Sequence, residues 1–178
     1  MNNIFMSKNN EKVNIRQLEA KDAKQVLDYI CTVGGETDNL LFGREGLGIS
    51  VDEEMRILSQ YLVHPVSMLL GCFIGEKLVA VSNISVKERQ RIRHIASLGI
   101  SVIREYWNQG IGTYLMKYMI DYSRKNEQIE VLELEVISDN YRAVELYKSL
   151  GFKVIGAMPK AVKIGNSYHE NLMMILEL

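Results

Sequence analysis

Cysteine is scarce in this 178-residue chain, and the two present, Cys31 and Cys72, exclude a disulfide framework. Neither lies in a Cys-x-x-Cys pair or a Cys/His cluster of metal spacing, so no metal is expected and both read as small buried hydrophobes. An excess of one charge is lacking too: 21 Lys and Arg face 22 Asp and Glu, a formal net charge of -1. That balance gives no electrostatic footprint for nucleic acid, and no Lys/Arg block marks a membrane surface. No apolar run reaches the ~20 residues of a membrane span. The polar opening, Met-Asn-Asn-Ile-Phe-Met-Ser-Lys-Asn-Asn, has no apolar signal core, and a cytoplasmic location is expected. With two prolines, 47% apolar and 24% charged residues, the composition fits a folded globular protein, neither disordered nor fibrous. The length suits one domain with a full core and is short for two.

Periodicity then organises the chain. Residues 1-11 read as a flexible polar tail and 12-178 as a single domain. Val13, Ile15 and Leu18 suggest a first strand, and Ala23, Val26, Leu27 and Ile30 make one apolar helix face that stops at Gly34-Gly35. A loop from Glu36 to Gly43, mixing acidic and apolar residues, follows; such loops often border a site. A second helix is expected from Val51 to Val63, with Asp52, Glu53 and Glu54 in its first turn and Pro65 after it. Met68 to Ile74 and Leu78 to Val86 read as a hairpin turning at Gly75-Glu76-Lys77. A charged patch from Lys87 leads to a strand holding Ile95, Leu98, Ile100 and Val102, interrupted by Gly99, where a bulge or a close backbone approach is expected. Helical spacing from Ile111 through Leu115, Met119 and Tyr122 precedes a strand from Ile129 to Ile137, with Leu132, Leu134 and Val136 on one face and Glu133 and Glu135 on the other. Ser138-Asp139-Asn140 supplies caps for a helix that ends at Gly151, and two strands, Phe152 to Ile164 and Tyr168 to Glu177, close the chain. The strand-helix-strand unit through 98-137 demands a parallel neighbour, so the sheet is mixed and the class is α/β (α+β).

One stretch carries chemistry. From Leu98 to Thr113 a strand turns through polar and aromatic residues and meets Gly110 and Gly112 where a helical pattern starts. Unpaired N–H groups at a helix start, the helix dipole and close backbone approach at glycine together suit an anion. A Walker A loop fails, because Thr113 follows Gly112 and no lysine lies in the loop. A dinucleotide fingerprint would need a third glycine where Leu115 stands and an acidic residue after the next strand, which Glu135 suits only loosely. The third reading joins Gln109-Gly110-Ile111-Gly112-Thr113 to Asn140-x-x-Ala143-x-x-Leu146-Tyr147-x-x-x-Gly151-Phe152. Together, and in this order, the two motifs resemble the GNAT (Gcn5-related N-acetyltransferase) family over roughly residues 67 to 155.

The resemblance implies a mixed, centrally splayed sheet of six or seven strands flanked by about four helices, with acetyl-CoA between two parallel strands. It implies that the backbone of Ile100, Ser101 and Val102 pairs with the pantetheine arm, and that Asn108, Gln109, Gly110, Ile111, Gly112 and Thr113 hold the pyrophosphate. By the same likeness Asn140 bonds the pantetheine portion and Tyr147 stands near the thioester sulfur as proton donor. The implied reaction is direct attack of a small molecule's primary amine on the acetyl carbonyl; a protein or peptide acceptor, or a CoA-binding module without turnover, are the alternatives. Two positions depart from the family. Trp107 replaces the usual Arg or Gln three residues before the first loop glycine, at a cost of ~1 kcal/mol for one ordinary hydrogen bond. Ser97 aligns where many relatives carry a glutamate, so the candidates for the base are Glu36, Asp38, His94 and Glu135, acting directly or through a water wire ending at one of them. Glu36 is the first choice, because a loop carboxylate over the site also attracts a cationic amine. A homodimer through the last strands, common in such folds, is left open.

Overall fold

The computed structural model describes residues 2–178 and forms two compact units: the chain up to Ser85 with Gly99–Met116, and Val86–Leu98 with Lys117–Leu178. The described residues hold eight strands and four helices, against the six or seven strands and about four helices expected.

In the first unit, strands β1 (Asn2–Met6), β2 (Lys12–Gln17), β3 (Met68–Ile74) and β4 (Lys77–Val86) lie side by side in chain order, each antiparallel to the next. β1 falls in the stretch expected to be a loose tail. It is a mixed polar edge strand with no alternation to betray it, and it is held by the β2 ladder, by Phe5 stacked on Tyr114 at 4.0 Å, and by a turn in which Ser7 Oγ accepts the Asn9 and Glu11 N–H groups. β3 is central and almost continuously buried, from Met68 to Phe73. The β3–β4 hairpin closes through two residues, Gly75 and Glu76, with Gly75 at φ +58, a conformation glycine adopts without steric cost.

Helix α1 (Ala23–Gly34) buries Ala23, Val26, Tyr29 and Val33, so its face is centred on Tyr29; the expected Leu27 and Ile30 lie only partly covered at its edge. Tyr29 can occupy the core because its hydroxyl bonds Ser101 Oγ at 2.9 Å. The helix is approached through a bidentate pair, Arg16 to Asp22 at 2.6 and 2.8 Å, in which Asp22 also accepts the Glu19 N–H. Helix α2 (Val51–Val63) begins at a Ser50–Glu53 capping box and ends where His64, forced extended before Pro65, accepts the Val66 and Ser67 N–H groups on Nδ1.

In the second unit the order is β5 (Ile95–Val102), β6 (Val131–Ile137), β8 (Ser167–Glu177), β7 (Lys153–Ile164). β5 and β6 are parallel, as the crossover requires, and the other two pairs are antiparallel. β5 and the crossover helix α3 (Ile111–Arg124) each run from one unit into the other. Leu132, Leu134 and Val136 of β6 are buried and Glu133 and Glu135 face the other way, as their alternation predicts. Helix α4 (Tyr141–Ser149) buries Val144 and Tyr147 and stops at Gly151, whose φ of +96 is the left-handed conformation a helix terminus uses.

Candidate functional site

The first unit carries the strand-to-helix turn. After β5, residues 104–106 form a 3-10 turn, and the chain then passes through two left-handed residues, Asn108 (φ 63) and Gly110 (φ 88). Asparagine is among the few side chains that tolerate that conformation, and glycine does so freely. The first bond of α3 runs from Tyr114 N–H to Gly110 C=O at 2.9 Å, so the N–H groups of Ile111, Gly112 and Thr113 stand ahead of the helical ladder. A Cβ built on Gly110 would meet, within 4 Å, only Lys8 Cγ and Cε, both at 3.9 Å. Gln109 is buried beneath, with its carbonyl accepting the Lys8 N–H at 3.0 Å and its amide donating to Glu105 C=O at 3.2 Å. Its Oε1 has no partner among the described residues, an orphaned buried acceptor in the loop that presents the donors.

Trp107, the departure from the motif, has a task of its own. Its indole N–H donates to the Val102 carbonyl at 2.7 Å and closes the turn on the end of β5. Of Ile100, Ser101 and Val102, the residues expected to pair with a ligand arm, Val102 thus has one carbonyl lone pair committed, and Ser101 has its side chain committed to Tyr29. Gly99 is explained by close approach: a Cβ there would lie 2.4 Å from Asn83 Oδ1. Asn83 in turn donates to Ser85 Oγ at 2.9 Å, and Ser85 bonds the Tyr61 hydroxyl at 2.6 Å. Glu36 is engaged as well. One of its oxygens accepts the Arg104 N–H at 2.7 Å and its carbonyl accepts from the Arg104 guanidinium, tying the α1–α2 loop to the turn after β5. Asp38 is exposed in the same loop.

The second unit carries the remaining side chains. Asn140 caps α4, its Oδ1 accepting the Ala143 N–H at 3.3 Å, which leaves the side-chain amide hydrogens uncommitted to the cap. Tyr147 is 8% exposed, its ring tilted against Phe152 at 6.1 Å; burial pushes its hydroxyl up to about 12, so it stays protonated at neutral pH. His94 stands just before β5, where its carbonyl accepts the Glu130 and Val131 N–H groups. Glu135 accepts the Asn171 amide at 2.6 Å.

Sequence reasoning missed Glu133. It is the register partner of Ser97 in the last of three parallel pairs, Ile95–Val131, Ala96–Leu132 and Ser97–Glu133. Ser97 Oγ donates to Glu133 Oε1 at 2.6 Å, and Lys87 Nζ reaches the same oxygen at 2.5 Å. Partial burial works to raise the Glu133 carboxyl, but the bonds from Lys87 and Ser97 and the Lys87 charge outweigh it and hold it below its ordinary value. The signal in the sequence was the outward pair Glu133 and Glu135 on a strand parallel to the one bearing Ser97.

Among the described residues no group of His, Cys, Asp and Glu is arranged to hold a metal, and no helix is long and apolar enough to cross a membrane.

A model of the acetyltransferase (GNAT) family matches residues 41–152. The L-amino acid N-acetyltransferase AaaT of Escherichia coli is 33% identical over 95 residues, covering 53% of this chain and 58% of that protein. The N-alpha-acetyltransferase RimI of Mycobacterium tuberculosis is 29% identical over 106 residues, covering 60% and 65%. The matches thus span about three-fifths of the length of these curated relatives, 58% and 65%. Among solved structures, an acetyltransferase of the GNAT family from Streptococcus pneumoniae superposes with a TM-score of 0.89 at 27% identity, over 93% of this chain and 99% of that one. The yncA protein of Salmonella typhimurium, described as a complex with its cofactor acetyl-CoA, gives 0.78 at 17% identity over 93% of each chain, a likeness of fold.

Proposed function

Because the chain belongs to the acetyltransferase (GNAT) family, we propose that it moves the acetyl group of acetyl-CoA to a primary amine of a small molecule by direct attack. The observation that carries this reading is the loop from Asn108 to Thr113, whose left-handed residues open the backbone in front of the N–H groups of Ile111, Gly112 and Thr113. Those donors, at the positive end of α3, fit a pyrophosphate. The uncommitted amide hydrogens of Asn140 suit a pantetheine carbonyl, and the backbone of Ile100 and Ser101 suits its amides.

When bound, acetyl-CoA supplies the activated acetyl group; the chain must provide an oxyanion donor, a donor for the sulfur, and a path for the amine's proton. A backbone N–H near Gly99 or Ile100 serves the first and Tyr147 the second. Glu36, first choice for the third from sequence, has a carboxylate oxygen held by the Arg104 N–H, and its charge serves to draw a cationic amine toward the loop. The small-molecule acceptor is supported by the likeness to an L-amino acid N-acetyltransferase, and a protein N-terminus by the likeness to RimI, at lower identity. Edge strand β7 exposes Val154, Ile155 and Met158, which supports a homodimer through that strand.

Calorimetry with acetyl-CoA tests the cofactor, and CoA thiol release across amino acids, polyamines, aminoglycosides and peptides tests the acceptor. Micromolar binding with turnover of a free amine is expected. No binding at millimolar acetyl-CoA refutes the reading, and turnover confined to peptides replaces the small molecule with a protein N-terminus.

A further inference from the structure

We propose that Ser97 and Glu133 together form the proton exit for the acceptor amine, Ser97 touching the amine and Glu133 acting through it from the neighbouring strand. The inference rests on the acetyltransferase reading and supplies the carboxylate that Ser97 lacks.

Three observations carry it. First, β5 and β6 are in register at this point, so the two side chains emerge on one face, and the Ser97 hydroxyl spends its only proton on Glu133 Oε1 at 2.6 Å. A serine hydroxyl has one donor and two acceptor lone pairs. With the donor committed, Ser97 Oγ meets any further group as an acceptor, which suits an ammonium and repels a carbonyl. Second, alternation along β5 sets Ser97 on the same face as Gly99, about 7 Å along the strand, next to the backbone N–H groups assigned to the oxyanion. Third, Glu133 is held ready and can pass a proton on. Lys87 Nζ at 2.5 Å favours the ionised carboxylate, and the side chain is 35% exposed to water.

The step balances without any further reagent. The N–H bond of the bound ammonium breaks and its proton goes to Ser97 Oγ as the Ser97 proton passes to the Glu133 carboxylate; the amine keeps the electron pair with which it attacks. An ammonium near ~10 is a far weaker acid than a carboxyl near ~4.3. The proton therefore does not rest on Glu133 but passes from the carboxyl to the water that reaches this partly exposed side chain, and Ser97 recovers its starting bond. Around Glu133 the charged groups are few. Lys87 touches it, Glu135 lies two residues along its face and is bonded to Asn171, and on β8 the register partner is the apolar Ile175, with Lys153 opposite that residue on β7.

The test is the pH profile of kcat/KM for thiol release, with acetyl-CoA affinity measured in parallel, for Ser97→Ala, Glu133→Gln, the double variant, and the conservative Ser97→Thr. General-base steps contribute about 100-fold or more. Each single change should lower kcat/KM about 100-fold while leaving the acetyl-CoA Kd within twofold, the double should be no worse than either single, and Ser97→Thr should retain activity within about tenfold. Lys87→Met removes the cation that favours ionised Glu133 and should move the acidic limb to higher pH. A Glu133→Gln protein with wild-type kcat/KM and an unmoved acidic limb overturns the relay alone, as do single losses that multiply in the double variant. A wild-type protein that binds no acetyl-CoA and releases no thiol overturns the acetyltransferase reading and the relay with it.

Discussion

Replacing Tyr147 by Phe removes one oxygen and leaves the ring against Phe152, so the change tests chemistry with little disturbance of packing. If the hydroxyl donates to the sulfur as it gathers charge, the loss is that of a hydrogen bond to a charged group, about 1.5–3 kcal/mol. At 1.36 kcal/mol per tenfold, kcat should fall by about 10- to 150-fold. Burial also says how the proton is used. It pushes the Tyr147 hydroxyl up to about 12, whereas a thiol has a reference value near ~8.5. Complete transfer to the thiolate is then uphill by about 3.5 pKa units, or ~5 kcal/mol. On that reading Tyr147 stabilises the departing sulfur by sharing its proton, and the thiol takes up its proton by equilibrating with the buffered solvent after release. The assay is thiol release at saturating amine for kcat and calorimetry for the acetyl-CoA Kd. The Kd should change by less than threefold, and the wild-type profile should show no basic limb from Tyr147 below about pH 11, because the hydroxyl remains protonated throughout that range. A kcat within twofold of wild type refutes the donor role. So does a Kd that weakens by the same factor as kcat, which would make the hydroxyl a binding group equally engaged before and during reaction.

Two further predictions test the frame that carries the loop. Gly99→Ala should cost about 1–3 kcal/mol in urea denaturation, since its Cβ meets Asn83 Oδ1 at 2.4 Å; in an Asn83→Ala background the cost should largely vanish, and an undiminished cost would show that the contact is not the cause. Asp22→Asn should cost about 3 kcal/mol by taking from Arg16 its carboxylate partner, and lower the melting temperature by roughly 6–12 °C. The Asp22 carboxyl is pulled two ways. Burial raises it, while bonds from Arg16 and the Glu19 N–H and the charges of Arg16 and Lys21 bring it below its ordinary value. The stability it contributes is therefore present above the unfolded carboxyl value and is lost as pH falls through the lower folded one. A melting temperature that drops equally in wild type and Asp22→Asn between pH 5 and 2.5 would contradict this.

What was legible in the sequence follows from how local its causes are. α2 runs from Val51 to Val63 as expected, because Ser50, Glu53 and Pro65 settle both ends by hydrogen bonds and sterics within a few residues. β6 is equally local: alternation alone separates Leu132, Leu134 and Val136 from Glu133 and Glu135. The strand-to-helix turn announced itself through Gly110, Gly112 and the helical period after them. β1 had no such marker, for its polar residues are held by β2 and by the stacking of Phe5 on a residue 109 positions away, Tyr114. Tyr29 outranks Leu27 and Ile30 in the core because Ser101, 72 residues on, bonds its hydroxyl.

The same distinction governs the two motif departures. Trp107 and Ser97 each read as the loss of a polar group, judged at one position. In the folded chain each is engaged by a group that pattern reading does not pair with it. Trp107 donates to a carbonyl five residues back, and Ser97 donates to a carboxylate 36 residues on, brought opposite by the parallel register of β5 and β6. A departure from a family motif is thus informative about function only after the neighbouring strand is known. If a carboxylate faces the vacant position, the chemistry has moved by one strand; if none does, it has been lost. Here Glu133 faces it, and its Lys87 contact keeps it charged.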